Sequence, residues 1–210
     1  MVNLYLIRHG RQCIKLCNLD VELTSEGVKQ AQLLRDRMKN YQIDALYSSD
    51  LLRARETAEI INEGLGLTHE IREGIREISF GHLEGKSAEY IDEHFKEFNQ
   101  KHKMLIEDIP YPGGESGQDV YERAMPVIMD IVKSGKKDIA IVMHGGTIRT
   151  ILAALFGKDQ ANRFLFGFSL ENTSITQLVY DEGKERFYLE RFNDFAHLEG
   201  YPNLYRKNIM

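Results

Sequence analysis

Residues 138–146, DIAIVMHGG, contain the clearest buried strand of the sequence and decide its fold. A short apolar run that leads directly into histidine and two glycines is typical of a strand covered on both faces of a parallel sheet. The following residues, TIRTILAALFG, predict a helix that ends at Gly157. The same order recurs near the start of the chain, where YLIRHG at residues 5–10 again leads from apolar strand to histidine and glycine.

Strands and helices alternate along the rest of the chain. Helices are predicted after Thr24, Asp50 and Ser116, which are suitable N-cap residues. Further strands are predicted in VNLYLI, IDALYSS, SITQLVY and RFYLERF, the last two forming a hairpin across the turn DEGKE. This alternation predicts an α/β fold with a doubly wound, mostly parallel sheet and helices on both faces.

Further predictions concern the less regular stretches of the chain and its division into domains. A helix is expected from Ser87 to Lys101, within a small helical cap insertion at about residues 87–112. The glycine-punctuated stretch REGIREISFGHLEG, residues 72–85, predicts a loop with a short strand. Pro126 is expected to kink or end the helix that contains it. Residues 1–210 are expected to form a single domain.

Composition argues against several classes of function. The chain carries 27 basic and 32 acidic residues, interspersed, with a formal net charge of −5, so we expect no nucleic-acid partner. No apolar stretch is long enough to cross a bilayer, which predicts a cytoplasmic protein with no membrane partner. Cys13 and Cys17 lack a second Cys/His pair at zinc-finger spacing. We therefore expect reduced thiols, and neither a metal nor a cofactor. The sequence does not indicate an oligomeric state.

Two histidines are expected to share one crevice. His9 and His144 each follow an apolar strand directly, and ligands bind outside the carboxyl ends of the strands in such sheets. Arg8 lies at the same strand end, where a buried guanidinium needs an anionic partner. Arg53 lies in the first turn of the helix after YSSD, and spacing alone favours a solvated surface arginine there.

Six segments in this order resemble successive motifs of the histidine phosphatase superfamily, the phosphoglycerate mutase-like proteins: LIRHGRQ, LTSEGVKQA, YSSDLLRARETA, REISFGHLEG, PGGES and VMHGGTIR. They span residues 4–149, and NTSITQL and FNDFAHL resemble the family's tail. The chain is most similar to members of the broad-specificity or α-ribazole phosphatase type. The resemblance implies a phosphatase that acts on a small phosphate ester without a metal.

The resemblance also implies roles for individual residues. His9 would be the nucleophile that becomes a phosphohistidine, and Glu77 would protonate the leaving group and then activate water. The phosphate-binding residues would be Arg8, Arg53, His144 and Gly145, with the amides that open the helix after His144 adding a favourable dipole. Glu84 and Glu115 match recurring acidic positions and receive provisional roles in shaping the pocket or capping a helix.

Two positions depart from the family pattern. Arg11 and Gln12 stand where members usually have Glu or Gln and then Thr or Ser. Gln12 can still donate a hydrogen bond to phosphate through its amide. Arg11 suggests a substrate with a second anionic group, although a pairing of Arg11 with a nearby surface acid explains it equally well.

Two other functions fit the same residues. A phosphoglycerate mutase would use them to return the phosphoryl group to a sugar acid, but the short interval between Glu77 and His144 favours a phosphatase. A non-catalytic module that binds phosphorylated ligands is the alternative of another class, since the loop at residues 11–19 is altered. In the cap, Phe95, Phe98 and Tyr111 are available to contact the organic part of a substrate, with packing as the simpler interpretation for Phe98.

Overall fold

The computed structural model describes residues 1–13, 16–167 and 169–206 and confirms the α/β fold. Its strands are β1 Val2–Arg8, β2 Ala45–Ser48, β3 His69–Ile71, β4 Asp138–Met143, β5 Ile175–Asp181 and β6 Arg186–Asp194. Its α-helices are α1 Ser25–Met38, α2 Leu52–Leu65, α3 Ala88–His94, α4 Lys96–Met104, α5 Gly117–Val132 and α6 Gly145–Leu155. The strands form one sheet in the order β3-β2-β4-β1-β5-β6.

The sheet is mostly parallel, as predicted. β1 pairs with β4, β4 with β2 and β2 with β3 in parallel, whereas β5 joins β1 and β6 in antiparallel ladders. The predicted hairpin of β5 and β6 is thus confirmed. The short strand expected within residues 72–85 is wrong, because β3 ends at Ile71 and that stretch instead contains single 3₁₀ turns at Glu73–Ile75 and Gly81–Leu83.

Helices cover both faces of the sheet. Along β1, Leu4 and Leu6 pack into a core with α5 and α6, whereas Tyr5 and Ile7 pack into a second core with α1 and α2. Alternate side chains of a strand point to opposite faces, so a strand buried on both sides is apolar throughout. This explains why the central strands are continuous apolar runs in the sequence.

Two of the three predicted N-caps are confirmed. The Thr24 side chain accepts a hydrogen bond from the amide of Gly27, and Ser116 forms a capping box with Asp119. The prediction for Asp50 is wrong: α2 begins after Leu51 without a side-chain cap.

An ion pair explains why Asp50 does not cap α2. Its carboxylate accepts a hydrogen bond from Nε of Arg76 at 2.6 Å, so it is engaged elsewhere. Pro126 does not end its helix, because α5 continues through it as one element. Pro126 cannot donate to the carbonyl of Glu122, and both residues lie on the exposed face of the helix.

The single helix predicted from Ser87 to Lys101 is wrong, because two short helices occupy this region. Ser87 caps α3, and Phe95 then leaves the helical conformation with φ −121° and ψ 34°. The amide of Phe95 still closes α3, and its carbonyl opens α4, so one residue serves both helix ends. Within the described chain, no helix is long and apolar enough to cross a membrane.

Candidate active site

A cavity of about 500 Å³ opens at the carboxyl end of β1. Its lining residues come from several parts of the chain: Arg8, His9, Arg11, Gln12, Asn18, Arg53, Glu77, Phe80, Asn172 and Arg206. Among the described residues, the wall thus contains four arginines and one carboxylate. The structure therefore brings four of the predicted site residues, Arg8, His9, Arg53 and Glu77, to one cationic cavity.

The backbone holds the His9 ring in one tautomer. Nδ1 lies 2.7 Å from the carbonyl oxygen of Gly10, which can only accept, so Nδ1 carries the proton. The lone pair of the neutral ring then lies on Nε2. Burial lowers the pKa of His9 well below its usual value, and the charges of Arg8 and Arg53 lower it further. His9 is therefore neutral near pH 7, the state that a nucleophile requires.

His144 lies behind the cavity wall, with its ring centroid 5.1 Å from that of His9. The parallel register explains this placement, because Arg8 pairs with Met143 and the next residue of each strand is a histidine. Nε2 of His144 lies 2.6 Å from the hydroxyl of Ser49, and its buried Nδ1 has no hydrogen-bond partner among the described residues. Burial and the neighbouring His9 lower the pKa of His144 well below its usual value.

Arg53 is buried and Arg8 is half-buried, and both guanidinium groups have donors left without a partner among the described residues. Arg53 is 2% exposed, so the solvated surface interpretation that spacing alone favoured is wrong. Its guanidinium donates to the side chain of Asn18 at 3.0 Å and to the carbonyl of Leu19 at 3.3 Å. Arg8 donates to the carbonyl of Leu170, and burial lowers the pKa of Arg8 to about 9.

In both arginines the buried Nε has no partner within the described chain. Buried donors rarely stay unsatisfied, because the desolvation of each costs about 1–3 kcal/mol. A bound anion would satisfy both. Gly145, by contrast, packs beside Arg8 and does not belong to the cavity wall.

Glu77 is held by the N-terminus of α6. Its Oε1 accepts hydrogen bonds from the amides of Ile78 at 3.0 Å and Thr147 at 3.1 Å, and Oε2 accepts from the amide of Gly146 at 3.1 Å. The amides that open α6 were expected to add a dipole that favours phosphate, and two of them, those of Gly146 and Thr147, bind Glu77. Within the part of the chain that the structure describes, Oε2 has this one partner, so it is the oxygen with a lone pair available for proton exchange.

Sequence reasoning missed the arginine that holds the Glu77 loop in place. Arg123 on α5 donates to the carbonyls of Gly74 at 2.8 Å and Glu77 at 3.0 Å. The same guanidinium binds Glu115 at 2.6 and 2.9 Å, and Glu115 also accepts from the amide of Ser79. Glu115 therefore shapes the loop beside the cavity. An arginine on a helix has no sequence signal that distinguishes it from a solvated one.

Glu84 also shapes this loop. Its Oε1 accepts hydrogen bonds from the amide of Phe80 at 2.9 Å and from the side chain of Asn18 at 3.2 Å. Asn18 in turn accepts from Arg53, so Glu84 reaches the arginine through one intermediate residue. Asn172, a second missed residue, donates to the carbonyl of His9 at 2.9 Å from the loop before β5.

The aromatic residue at the cavity wall is Phe80, which the sequence did not single out. Its ring centroid lies 4.5 Å from that of Tyr111, which in turn lies 5.3 Å from that of Phe98. Phe98 therefore packs within the protein, and the cap helix α4 reaches the cavity through this stack. Phe95, Phe98 and Tyr111 do not belong to the cavity wall.

Arg11 and Gln12 both lie at the cavity wall. The Arg11 guanidinium donates to the carbonyls of Leu204 at 2.7 Å and Tyr205 at 2.6 Å, and no carboxylate of the described chain forms an ion pair with it. The nearby surface acid is Glu26: the charge of Arg11 is the smallest of the causes that lower the pKa of Glu26, although the two form no ion pair within 4.0 Å among the described residues. Gln12 pairs with Leu23 in an isolated antiparallel bridge.

Neither cysteine belongs to the described wall of the cavity. Cys13 and Cys17 are both free thiols. Within residues 1–13, 16–167 and 169–206, the structure contains no group of three or more His, Cys, Asp or Glu side chains that could hold a metal ion. The positive charge of the cavity comes from guanidinium groups.

The fold and the site define a class: an α/β protein with a neutral, buried histidine in a cavity of arginines at the strand ends. The family model of the histidine phosphatase superfamily (branch 1) matches residues 4–194. The chain belongs to this superfamily.

Individual relatives extend the comparison. The chain is 32% identical over 209 residues to a protein of Hydrogenobacter thermophilus named "Putative phosphoserine phosphatase 2", covering 94% of this chain and 98% of that one. It is 29% identical to the "Probable phosphoglycerate mutase GpmB" of Yersinia pestis, covering 95% and 96%. A mycobacterial glucosyl-3-phosphoglycerate phosphatase, solved with inorganic phosphate, superposes with a TM-score of 0.84 at 29% identity, covering 94% and 99%.

Proposed function

We propose that this protein is a phosphomonoesterase that hydrolyses a small phosphorylated metabolite through a phosphohistidine at His9. One observation carries the proposal: Nδ1 of His9 is committed to the Gly10 carbonyl, which leaves Nε2 as a nucleophile in a cavity lined by arginines. A neutral imidazole with a fixed tautomer is ready to attack phosphorus without prior loss of a proton.

Arg8 and Arg53 bind the phosphoryl group in this mechanism. Their unpartnered Nε groups donate to its oxygens, and their charges stabilise the transition state as the phosphorus–oxygen bond breaks. Guanidinium groups here supply the charge neutralisation for which other phosphotransferases use a metal, so we propose that no metal is needed. When the Ser49 hydroxyl donates to Nε2 of His144, the proton of the neutral ring lies on Nδ1. Nδ1 has no partner among the described residues and in this mechanism donates to the phosphoryl group.

Glu77 moves the protons. In the first step Nε2 of His9 forms a bond to phosphorus, and Oε2 of Glu77 gives its proton to the departing alkoxide oxygen. In the second step Oε2 takes a proton from water, whose oxygen attacks phosphorus as the bond to Nε2 breaks. The products are an alcohol and inorganic phosphate, and Glu77 is again protonated.

Phosphate release tests the proposal. The substrates are para-nitrophenyl phosphate, 3-phosphoglycerate, phosphoserine and ribazole phosphate, each with and without EDTA. We expect release that EDTA does not change and that His9→Ala abolishes. His94→Ala, which removes an exposed histidine from α3, is the matched control.

Two results would contradict the proposal. A protein that forms phosphohistidine but returns the group to an acceptor without releasing phosphate is a mutase. A protein that binds phosphate esters but forms no phosphohistidine is a binding module. Labelling with [³²P]-ester followed by acid and alkali treatment separates the two, because phosphohistidine is labile to acid and stable to alkali.

A further inference from the structure

One of the four arginines of the cavity wall lies outside every motif of the sequence. Arg206 lines the cavity wall, although it belongs to the segment 202–206 near the end of the described chain. Its side chain is half-buried. A guanidinium at this depth loses much of its hydration, which is unfavourable unless an anion compensates it.

Within the described chain this compensation is only partial: burial lowers the pKa of the Arg206 guanidinium, and the charge of Glu171 opposes that effect in part. Arg206 forms no ion pair with a carboxylate within 4.0 Å there, and its one side-chain hydrogen bond is a long contact of 3.5 Å from Nη1 to the Leu170 carbonyl. Arg53, by contrast, lies 3.8 Å from the carboxylate of Asp20. Among the described residues, Arg206 therefore has no carboxylate at ion-pair distance, and an anionic ligand in the cavity would supply one.

The position of Arg206 is fixed by its backbone. The amide of Arg206 donates to both carboxylate oxygens of Glu171, at 3.2 and 3.1 Å. The two preceding carbonyls accept hydrogen bonds from Arg11, and the Leu204 carbonyl also accepts one from Gln30 at 2.8 Å. These contacts hold the segment on the cavity and leave the guanidinium of Arg206 available.

Arg206 also lies beside the arginine assigned to the phosphoryl group. Nη1 of Arg8 and Nη1 of Arg206 both point at the same oxygen, the carbonyl of Leu170. Two like charges this close repel each other, and the charge of Arg206 indeed lowers the pKa of Arg8, after the larger effect of burial. An anion bound between them would remove the repulsion.

Arg206 is not needed to balance the charge of the cleaved phosphoryl group, even though Glu171 offsets part of its own charge. Four guanidinium groups face one carboxylate in the cavity, and a phosphate monoester contributes a charge of about −1.5 to −2. Arg8 and Arg53 already balance that charge. We propose that Arg206 binds a second anionic group of the substrate, a carboxylate or a second phosphate close to the ester that is cleaved. This inference rests on the proposed phosphatase function.

Matched pairs of phosphate esters test the proposed role of Arg206. Phosphoserine and phosphoethanolamine differ by one carboxylate, and fructose 1,6-bisphosphate and fructose 6-phosphate differ by one phosphate. The measured quantity is the ratio of kcat/KM within each pair. We expect the wild type to prefer the more anionic ester at least tenfold in one pair, which names the group. Arg206→Gln should lower that ratio at least tenfold, and Arg206→Glu should invert it.

Arg55→Gln is the control, since it removes the same charge from an exposed position on α2 where Arg55 lies 3.9 Å from Glu59. It should leave the ratio unchanged. Wild-type ratios near one in both pairs would overturn the inference. So would equal losses on all esters in Arg206→Gln, which would make Arg206 a ligand of the cleaved phosphoryl group.

The same experiment distinguishes a failure of the proposed phosphatase function from a failure of the inference about Arg206. If the folded wild type releases phosphate from none of the esters, the phosphatase proposal is wrong, and the inference falls with it. Thermal unfolding of each variant shows whether a loss reflects folding, and the charge reversal in Arg206→Glu gives a change in preference that misfolding cannot mimic.

Discussion

The backbone of Gly146 and the carboxylate of Glu77 are so close that a side chain at residue 146 would overlap the carboxylate. A Cβ atom added at Gly146 would lie 2.4 Å from Oε1 of Glu77, and the amide of Gly146 donates to Oε2 of the same carboxylate at 3.1 Å. The helix N-terminus can therefore hold the carboxylate only because residue 146 has no side chain. This contact links the strand-end motif of β4 to the loop that carries Glu77.

We expect Gly146→Ala to displace Glu77 and to lower kcat at least tenfold, while KM changes less, because the arginines of the cavity are untouched. Steady-state kinetics with phosphoserine measure both constants. The control is Gly200→Ala, where an added Cβ would have no atom within 4 Å. Wild-type kcat in Gly146→Ala would show that the position of Glu77 does not matter.

Glu77→Gln removes the proposed proton donor without changing its size. General acid–base catalysis contributes about 10²- to 10⁴-fold, so we expect kcat on alkyl phosphates to fall by about that factor. The loss should be smaller for para-nitrophenyl phosphate, whose leaving group needs less protonation. The phosphohistidine should persist longer in a chase experiment. An equal loss on both kinds of ester would argue against proton donation by Glu77.

Thr57 connects Gly10 with Arg53. Its buried hydroxyl accepts from the amide of Gly10 at 3.0 Å and donates to the carbonyl of Arg53 at 2.7 Å. Thr57→Val leaves the Gly10 amide unsatisfied, which should lower the free energy of unfolding by about 1–3 kcal/mol. Chemical denaturation measures this change. The exposed Thr68→Val is the control, and equal stability of the two variants would contradict the prediction.

His197 should make the fold sensitive to acid. Arg37 donates to its Nδ1 at 3.4 Å, and burial lowers its pKa to about 4, from an unfolded value near 6.5. Between these values the unfolded chain binds the proton and the folded protein does not, so stability falls as pH decreases through this range.

Replacing His197 removes this contribution. We expect His197→Gln to reduce the slope of unfolding free energy against pH by about 1.4 kcal/mol per unit between pH 4 and 6.5. Urea denaturation at several pH values measures the slope, with the exposed His94→Gln as the matched control. Parallel curves for wild type and His197→Gln would contradict the assignment.

Sequence reasoning located those parts of the site that follow from the sheet. His9 and His144 end strands that are recognisable from their apolar runs, and the parallel pairing of those strands brings the two residues together. Local capping was less predictable, because Asp50 and Ser116 are equally good caps until Arg76 is known to lie beside Asp50. A tertiary ion pair leaves no local signal.

The remaining site residues depend on contacts that only the folded chain reveals. Arg53 and Arg55 both lie on α2, yet Arg53 is buried while Arg55 is exposed, and composition cannot distinguish them. Arg123 and Arg206 belong to no recognised motif and reach the site from a helix on one face of the sheet and from segment 202–206. Their roles follow from hydrogen-bond partners that are distant in sequence.

Two parts of the cavity wall, the end of β1 and segment 202–206, are attached to the rest of the fold in different ways. This difference determines which part tolerates substitution during evolution. The histidine and its neighbouring arginine lie at the end of a strand in the buried centre of the sheet, where most substitutions disturb the core. Segment 202–206 is attached by hydrogen bonds from Arg11, Gln30 and Arg206. If Arg206 selects the substrate as proposed, substitutions in this short segment would change which phosphate ester is accepted and would leave the residues at the strand end unchanged.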